Sequence, residues 1–158
     1  MDTPHFLADH NVGALGRRLR MLGFDTILFG TGDDGDMVRR ALDEGRTILT
    51  RDTHIMERRV VTSGRLKAVL LTTDRPQEQL CRVIKQLELK NRFNPFTRCI
   101  EDNHLLVPRL PEEVIERVPP YVAKTQTQFM ECPQCRRIYW RGTHWQAMMD
   151  SLANLEKC

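Results

Sequence analysis

The sequence has no run approaching the ~18 apolar residues that a membrane-spanning helix needs, so no membrane partner is expected of it. It holds five cysteines, an odd number that cannot all pair within one chain. A disulfide framework is also unnecessary, because a chain of 158 residues buries roughly 68–70% of its unfolded surface without one. Internal repeats and low-complexity tracts are missing too. Met1–His10 carries Asp2, Pro4 and Asp9 and lacks the apolar stretch of a signal peptide, so a cytoplasmic location is expected. An excess of one charge is likewise absent, since the formal net charge is only +3. What remains, 41% hydrophobic and 28% charged residues, is the mix of a globular protein and not of a disordered one.

The weak net charge is unevenly spread. Residues 1–96 hold 16 Lys/Arg against 13 Asp/Glu, whereas residues 97–158 hold 8 of each. If several N-terminal carboxylates converge in one pocket, the rest of that surface is distinctly cationic, which suits a phosphate-bearing polymer.

Apolar residues alternate between short strand-like runs and helical spacing. Strands are predicted at His5–Ala8, Asp25–Phe29, Arg46–Thr50 and Lys67–Thr72. Helices are predicted from Val12 to Gly23, from Asp33 or Asp34 to about Glu44, over Thr53–Thr62, and from Pro76 to about Leu89. Strands alternating with helices over some 90 residues point to an α/β fold, a parallel sheet with right-handed crossovers. The character changes near Asn91. Asn91–Pro95 reads as a linker, Thr97–Gly142 as a loop-rich stretch with two cysteine-bearing turns, and Thr143–Cys158 as a C-terminal helix.

Asp9, Asp52 and Asp74 each fall just past the C-terminal end of a predicted parallel strand, the edge at which open α/β sheets bind ligands. Asp33, Asp34 and Asp36 open a helix, a position from which a further carboxylate can face the same edge. Carboxylates gathered there repel one another unless cations hold them. Hard oxygen donors of this kind favour Mg²⁺ or Mn²⁺. Two such ions can activate water and stabilise the leaving oxygen of a phosphodiester.

Several runs carry a family resemblance: Phe6-Leu7-Ala8-Asp9, Gly16-Arg17-Arg18-Leu19-Arg20-Met21-Leu22-Gly23-Phe24-Asp25, Asp33-Asp34 with Ala41, and Gly45-Arg46-Thr47-Ile48-Leu49-Thr50-Arg51-Asp52. Gln79-Leu80, Arg98-Cys99, Cys132-Pro133-Gln134-Cys135 and Tyr139-Trp140-Arg141-Gly142-Thr143-His144 continue it. Over about residues 6–148 the chain resembles the Mut7-C ribonuclease family, a branch of the PIN-like nucleases. The resemblance implies a PIN-like parallel sheet flanked by helices (residues 1–96), a small zinc-ribbon-like module (97–148) and a C-terminal tail (149–158). It further implies metal-dependent hydrolysis of RNA at an acidic site of Asp9, Asp34 and Asp52, supported by Asp33, Asp36 or Asp74. Asp9 and Asp52 are the first choice as Mg²⁺ or Mn²⁺ ligands. Arg17, Arg20 and Arg51 are candidates for holding phosphates, since Arg forks onto two phosphate oxygens, and His144 is a further substrate-binding candidate.

A four-cysteine ribbon needs two Cys-x-x-Cys knuckles around tetrahedral zinc. The second is intact at Cys132 and Cys135, but the first reads Cys99-Ile100-Glu101-Asp102. Three readings stand: Asp102 supplies an oxygen ligand, His104 takes its place, or the structural Zn²⁺ site is weakened. Arg136, Arg137, Tyr139, Trp140, Arg141, His144 and Trp145 follow the second knuckle, an interleaving that can stack bases or pack a small ribbon. Cys81 sits on the apolar face of its helix and Cys158 ends the chain, and neither calls for a functional role. Besides ribonuclease action, three functions remain open: a nucleic-acid-binding module without catalysis, a PIN-like toxin with an antitoxin-like protein partner, and a phosphatase acting on small phosphate esters.

Overall fold

The computed structural model describes residues 3–153. Its first half is a four-stranded, wholly parallel sheet of β1 (His5–Ala8), β2 (Thr26–Leu28), β3 (Arg46–Thr50) and β4 (Ala68–Leu70), in the order β2-β1-β3-β4. The helices are α1 (Gly13–Met21), α2 (Asp34–Glu44), α3 (Thr53–Glu57), α4 (Arg59–Thr62) and α5 (Pro76–Gln86). This is the expected α/β class, with a parallel sheet flanked by helices.

The period-two alternation of the strands divides the interior into two layers. Phe6 and Ala8 of β1, Leu49 of β3 and Val69 of β4 join one core with Leu15 and Leu19 of α1 and Leu80, Val83 and Ile84 of α5. Leu7 and Ile48, their neighbours along the same strands, face the other way. There they meet Met37, Val38 and Ala41 of α2, with Ile55 of α3. Both faces of the sheet are covered, as a parallel sheet requires.

Local chemistry explains where the elements begin and end. Asp33 caps α2 through the Asp36 amide (2.8 Å), and the Asp36 carboxylate answers on the Asp33 amide (3.1 Å), a reciprocal capping box. Gly45 ends α2 at φ +66°, the left-handed conformation that glycine adopts without strain. Pro76 opens α5. The single helix expected over Thr53–Thr62 is instead two short ones, because Arg58 is extended (φ −63°, ψ 139°).

The second half contains more regular structure than its loop-rich sequence suggests. A short antiparallel sheet runs β5 (Val107–Arg109), β6 (Phe129–Glu131), β7 (Ile138–Tyr139), with the helices α6 (Pro111–Val114) and α7 (Pro120–Thr125) inserted between β5 and β6. Val114, Val118, Val122 and Phe129 form its small core, against which Trp140 packs, its ring edge-on to Phe129 at 6.4 Å. The final helix, α8 (Thr143–Ala153), starts beside this module and carries Leu152 back into the first core of the parallel sheet. Residues 154–158, including Cys158 and the end of the expected C-terminal helix, lie outside the described residues. No helix among the described residues is long and apolar enough to cross a membrane.

Candidate acidic edge and metal centre

The sheet order contains a reversal. From β1 the chain crosses to β2 on one side and then passes to β3 on the other, so β1 and β3 flank the topological switch point. In open parallel sheets the crevice past the C-terminal ends of such strands is where ligands bind. Asp9 immediately follows β1, and Asp52 stands two residues after β3.

Asp9 is buried, and both of its carboxylate oxygens have partners. Oδ1 accepts from the His10 amide at 2.8 Å and lies 2.9 Å from His10 Nδ1, while Oδ2 accepts from the Thr50 hydroxyl at 2.8 Å. The same hydroxyl accepts from the Asp52 amide at 3.0 Å, so one buried side chain joins the two strand-end aspartates. Asp52 also caps α3 through the His54 amide (2.9 Å). The Arg51 amide donates to the Asn11 side chain (3.4 Å), tying the two loops together. Thr50, His10 and Asn11 were not singled out from the sequence. Their only signal is adjacency to the strand-end aspartates.

The other carboxylates stand apart from this pair in different ways. Asp33 and Asp36 hold each other across the capping box, and Asp34 is the first residue of α2. Asp74 is exposed, in the loop between β4 and α5. Among the described residues no three Asp, Glu or His donors come within 4.8 Å of one another in this region. The edge therefore offers no all-protein cage. Mg²⁺ seldom has one: it keeps several waters and takes one or two carboxylates, a donor requirement that Asp9 and Asp52 meet.

The arginines divide. Arg17 and Arg51 are exposed. Arg20, expected at phosphates, is only 5% exposed, and its donors are committed to backbone carbonyls. Nε reaches Thr26 O (2.8 Å), and Nη1 reaches Ile100 O (2.9 Å) and Glu101 O (3.1 Å). It fastens α1 and β2 to the first knuckle of the second module and has no free fork for substrate. His144 is exposed on the first turn of α8. It lines a cavity with Met21, the residue that ends α1 at the opposite end from Asp9.

In the second module Cys99, Asp102, Cys132 and Cys135 each offer one ligand atom, and all four atoms lie within 4.8 Å of one another. Cys99 Sγ is 3.6 Å from Cys135 Sγ, and Cys132 Sγ is 3.2 Å from an Asp102 oxygen. Tetrahedral zinc with Zn–S bonds of about 2.3 Å sets its sulfurs roughly 3.8 Å apart, so the set fits Zn²⁺ as Cys₃Asp. His104, the alternative ligand, is not in the set. It follows Asn103, whose φ of +71° turns the chain, and contributes only its amide, which donates to Asp102 Oδ1 at 3.0 Å.

The surroundings are arranged for such an ion. The Tyr139 hydroxyl lies 3.0 Å from Cys99 Sγ and accepts from the Ile100 amide, and the Cys135 amide donates to Cys132 Sγ. Burial opposes the Asp102 carboxylate, but the His104 amide and the cysteine thiols outweigh it and hold the group down at about 2. Burial pushes the Cys132 thiol up to about 12. Zinc entry there must therefore displace protons. Three thiolates and a carboxylate exceed the charge of Zn²⁺, and the Arg20 guanidinium, coupled to Cys99, Asp102 and Glu101, supplies a compensating cation.

Asn103 makes the second fastening between the halves. Its side chain donates to Asp25 Oδ1 (2.7 Å) and accepts from the Thr26 amide (3.0 Å) at the start of β2. Asp25 also pairs with Arg46 at 2.9 Å. Further along, the buried Glu131 carboxylate gathers Arg109, Arg117 and Arg136 at 2.8–3.2 Å.

No curated protein and no solved structure matches the chain. One family model does, and it spans residues 4–152, the parallel sheet and the cysteine-bearing module together. With an acidic switch point in the first half and a Cys₃Asp cluster docked against it from the second, the chain belongs to the family of the Mut7-C RNAse domain.

Proposed function

We propose that the chain is a metal-dependent ribonuclease that hydrolyses RNA phosphodiester bonds at the C-terminal edge of its parallel sheet. The observation that carries this reading is the buried Asp9, set at the topological switch point and joined through the Thr50 hydroxyl to Asp52. Membership of an RNase domain family supports RNA as the substrate. Asp9 and Asp52 would hold Mg²⁺ or Mn²⁺, with Asp34 at the start of α2 and its neighbours Asp33, Asp36 and Asp74 in support. The bound ion would supply Lewis acidity at the phosphodiester and acidify water at neutral pH. Thr50 fixes the Asp9 carboxylate, and His10, within hydrogen-bond reach of the same carboxylate, stands where a proton can be taken up. Arg17 and Arg51 are placed in solvent, free to meet phosphates.

On this reading residues 1–96 form the nuclease unit. Residues 97–148 form a zinc-ribbon-like module whose Zn²⁺ is structural, and residues 149–158 are a tail. The test is cleavage of a labelled RNA pool in Mn²⁺ by purified protein, beside the Asp52→Asn variant and an EDTA control. Cutting that requires metal and vanishes in the variant supports the proposal. RNA that is retained on a filter but left uncut would leave a binding module without catalysis.

A further inference from the structure

A second concave site lies away from the acidic edge. It is a cavity of about 330 Å³ where α1, the cysteine-bearing module and the start of α8 meet, with Phe96, Arg98, Tyr121, Trp140 and Trp145 among its walls. Two buried donors on these walls have no partner: Nε of Arg98 and the indole N–H of Trp145. Buried donors are normally satisfied, and each exception needs a reason. A single ordered water answers to a space far smaller than this one. The volume instead falls at the small end of ligand pockets.

The chemistry of the walls narrows the occupant. Both orphaned groups are donors, so the ligand must present acceptors along an edge. The walls are aromatic, and Tyr121 remains 70% exposed at the mouth, so the ligand is flat and stacks. The Arg141 guanidinium lies 5.2 Å from the centre of the Phe96 ring and 5.0 Å from that of Trp145, which places a cation beside the same walls. A planar heterocycle with acceptor edges and an attached anion is a nucleotide. Single-stranded RNA is commonly held through splayed bases stacked on aromatic rings.

We infer that this cavity is a nucleobase pocket, in which one base of the RNA strand stacks on Tyr121 and Trp145 and accepts from Arg98 and Trp145. It deepens the ribonuclease reading and rests on it for the identity of the strand. Met21 of the cavity ends α1 and Asp9 precedes it, and a nine-residue helix is roughly 13 Å long. The pocket therefore holds a base some nucleotides away from the bond that is cut and sets the register of cleavage.

The test is calorimetric titration of the full chain, without divalent metal, by AMP, CMP, GMP, UMP and ribose 5-phosphate. Saturable binding of at least one nucleotide is expected, with ribose 5-phosphate at least tenfold weaker. Trp145→Phe keeps a ring and removes the donor, and should raise Kd roughly three- to tenfold. Tyr121→Ala alters an exposed ring that the fold does not need, and should also weaken binding. Asp52→Asn should bind as the wild type does. Absence of saturable binding by every nucleotide, or equal binding of ribose 5-phosphate, would overturn the pocket. Nucleotide binding together with uncut RNA would keep the pocket and sink the nuclease. RNA cut at the same positions by wild type and Trp145→Phe, without nucleotide binding, would do the reverse.

Discussion

Replacing Arg20 by methionine separates a structural arginine from a substrate-binding one. The guanidinium is buried and makes three hydrogen bonds to carbonyls, two of them on the backbone between the zinc-site residues Cys99 and Asp102. Hydrogen bonds to a charged group contribute about 1.5–3 kcal/mol each. They do not add, because two come from one nitrogen, and burying the cation has its own penalty, which also lowers its pKa. Methionine fills the space but leaves the carbonyls unpaired. A net loss of about 3 kcal/mol follows, which for a chain of this size lowers Tm by roughly 6–12 °C. Thermal and urea unfolding followed by circular dichroism measure it, and a chromogenic chelator measures zinc release, which should be faster on the order of tenfold. RNA retention at low salt should be unchanged within about twofold. A stability change below about 0.5 kcal/mol, with weaker RNA binding and a salt slope reduced by about one, would refute this and return Arg20 to a phosphate.

Further outcomes follow from the same geometry. Burial opposes ionisation of Asp25, but Arg46 and Asn103 hold its carboxyl at about 2. A depressed folded pKa stabilises the protein above the unfolded value near 3.9. About 2 kcal/mol present at neutral pH should thus be lost as pH falls from about 4 to 2, and Asp25→Asn should flatten that limb of a stability–pH curve. Thr50→Val removes the donor to Asp9 and the acceptor for the Asp52 amide. It should cost about 1–2 kcal/mol and reduce cleavage about tenfold, while Thr50→Ser, which keeps the hydroxyl, restores both; equal loss in the two variants would point to packing alone. Asp102→Cys completes a four-cysteine site and should slow zinc extraction by a chelator without changing cleavage; faster extraction would contradict the Cys₃Asp assignment.

Much of the fold was legible because its signals are local. The Asp33–Asp36 capping box, Gly45, Pro76 and the alternation in β1 and β3 each act within a few residues. The placement of Asp9 and Asp52 past parallel strands was legible for the same reason. What the sequence concealed depends on distant partners. Arg20 occupies a polar position in a helical pattern, and nothing near it announces that carbonyls 80 residues away will take its donors. Thr50 reads as an ordinary strand residue until β1 and β3 are paired. The helices α6 and α7 are short and set among prolines, too brief to show a helical period. The choice between Asp102 and His104 needed the turn at Asn103, which keeps position 102 on the knuckle and carries 104 past it.

The most direct test of a nuclease centred on the β1–β3 edge is the rate at which Asp9→Asn cleaves a labelled RNA in Mn²⁺, beside wild type. Asparagine keeps one acceptor oxygen but removes the negative charge, so the zinc content should hold while cleavage falls roughly 100-fold or more. Cleavage within a few-fold of wild type, from a variant shown to carry its zinc, would contradict the assignment and place the chemistry elsewhere on the molecule.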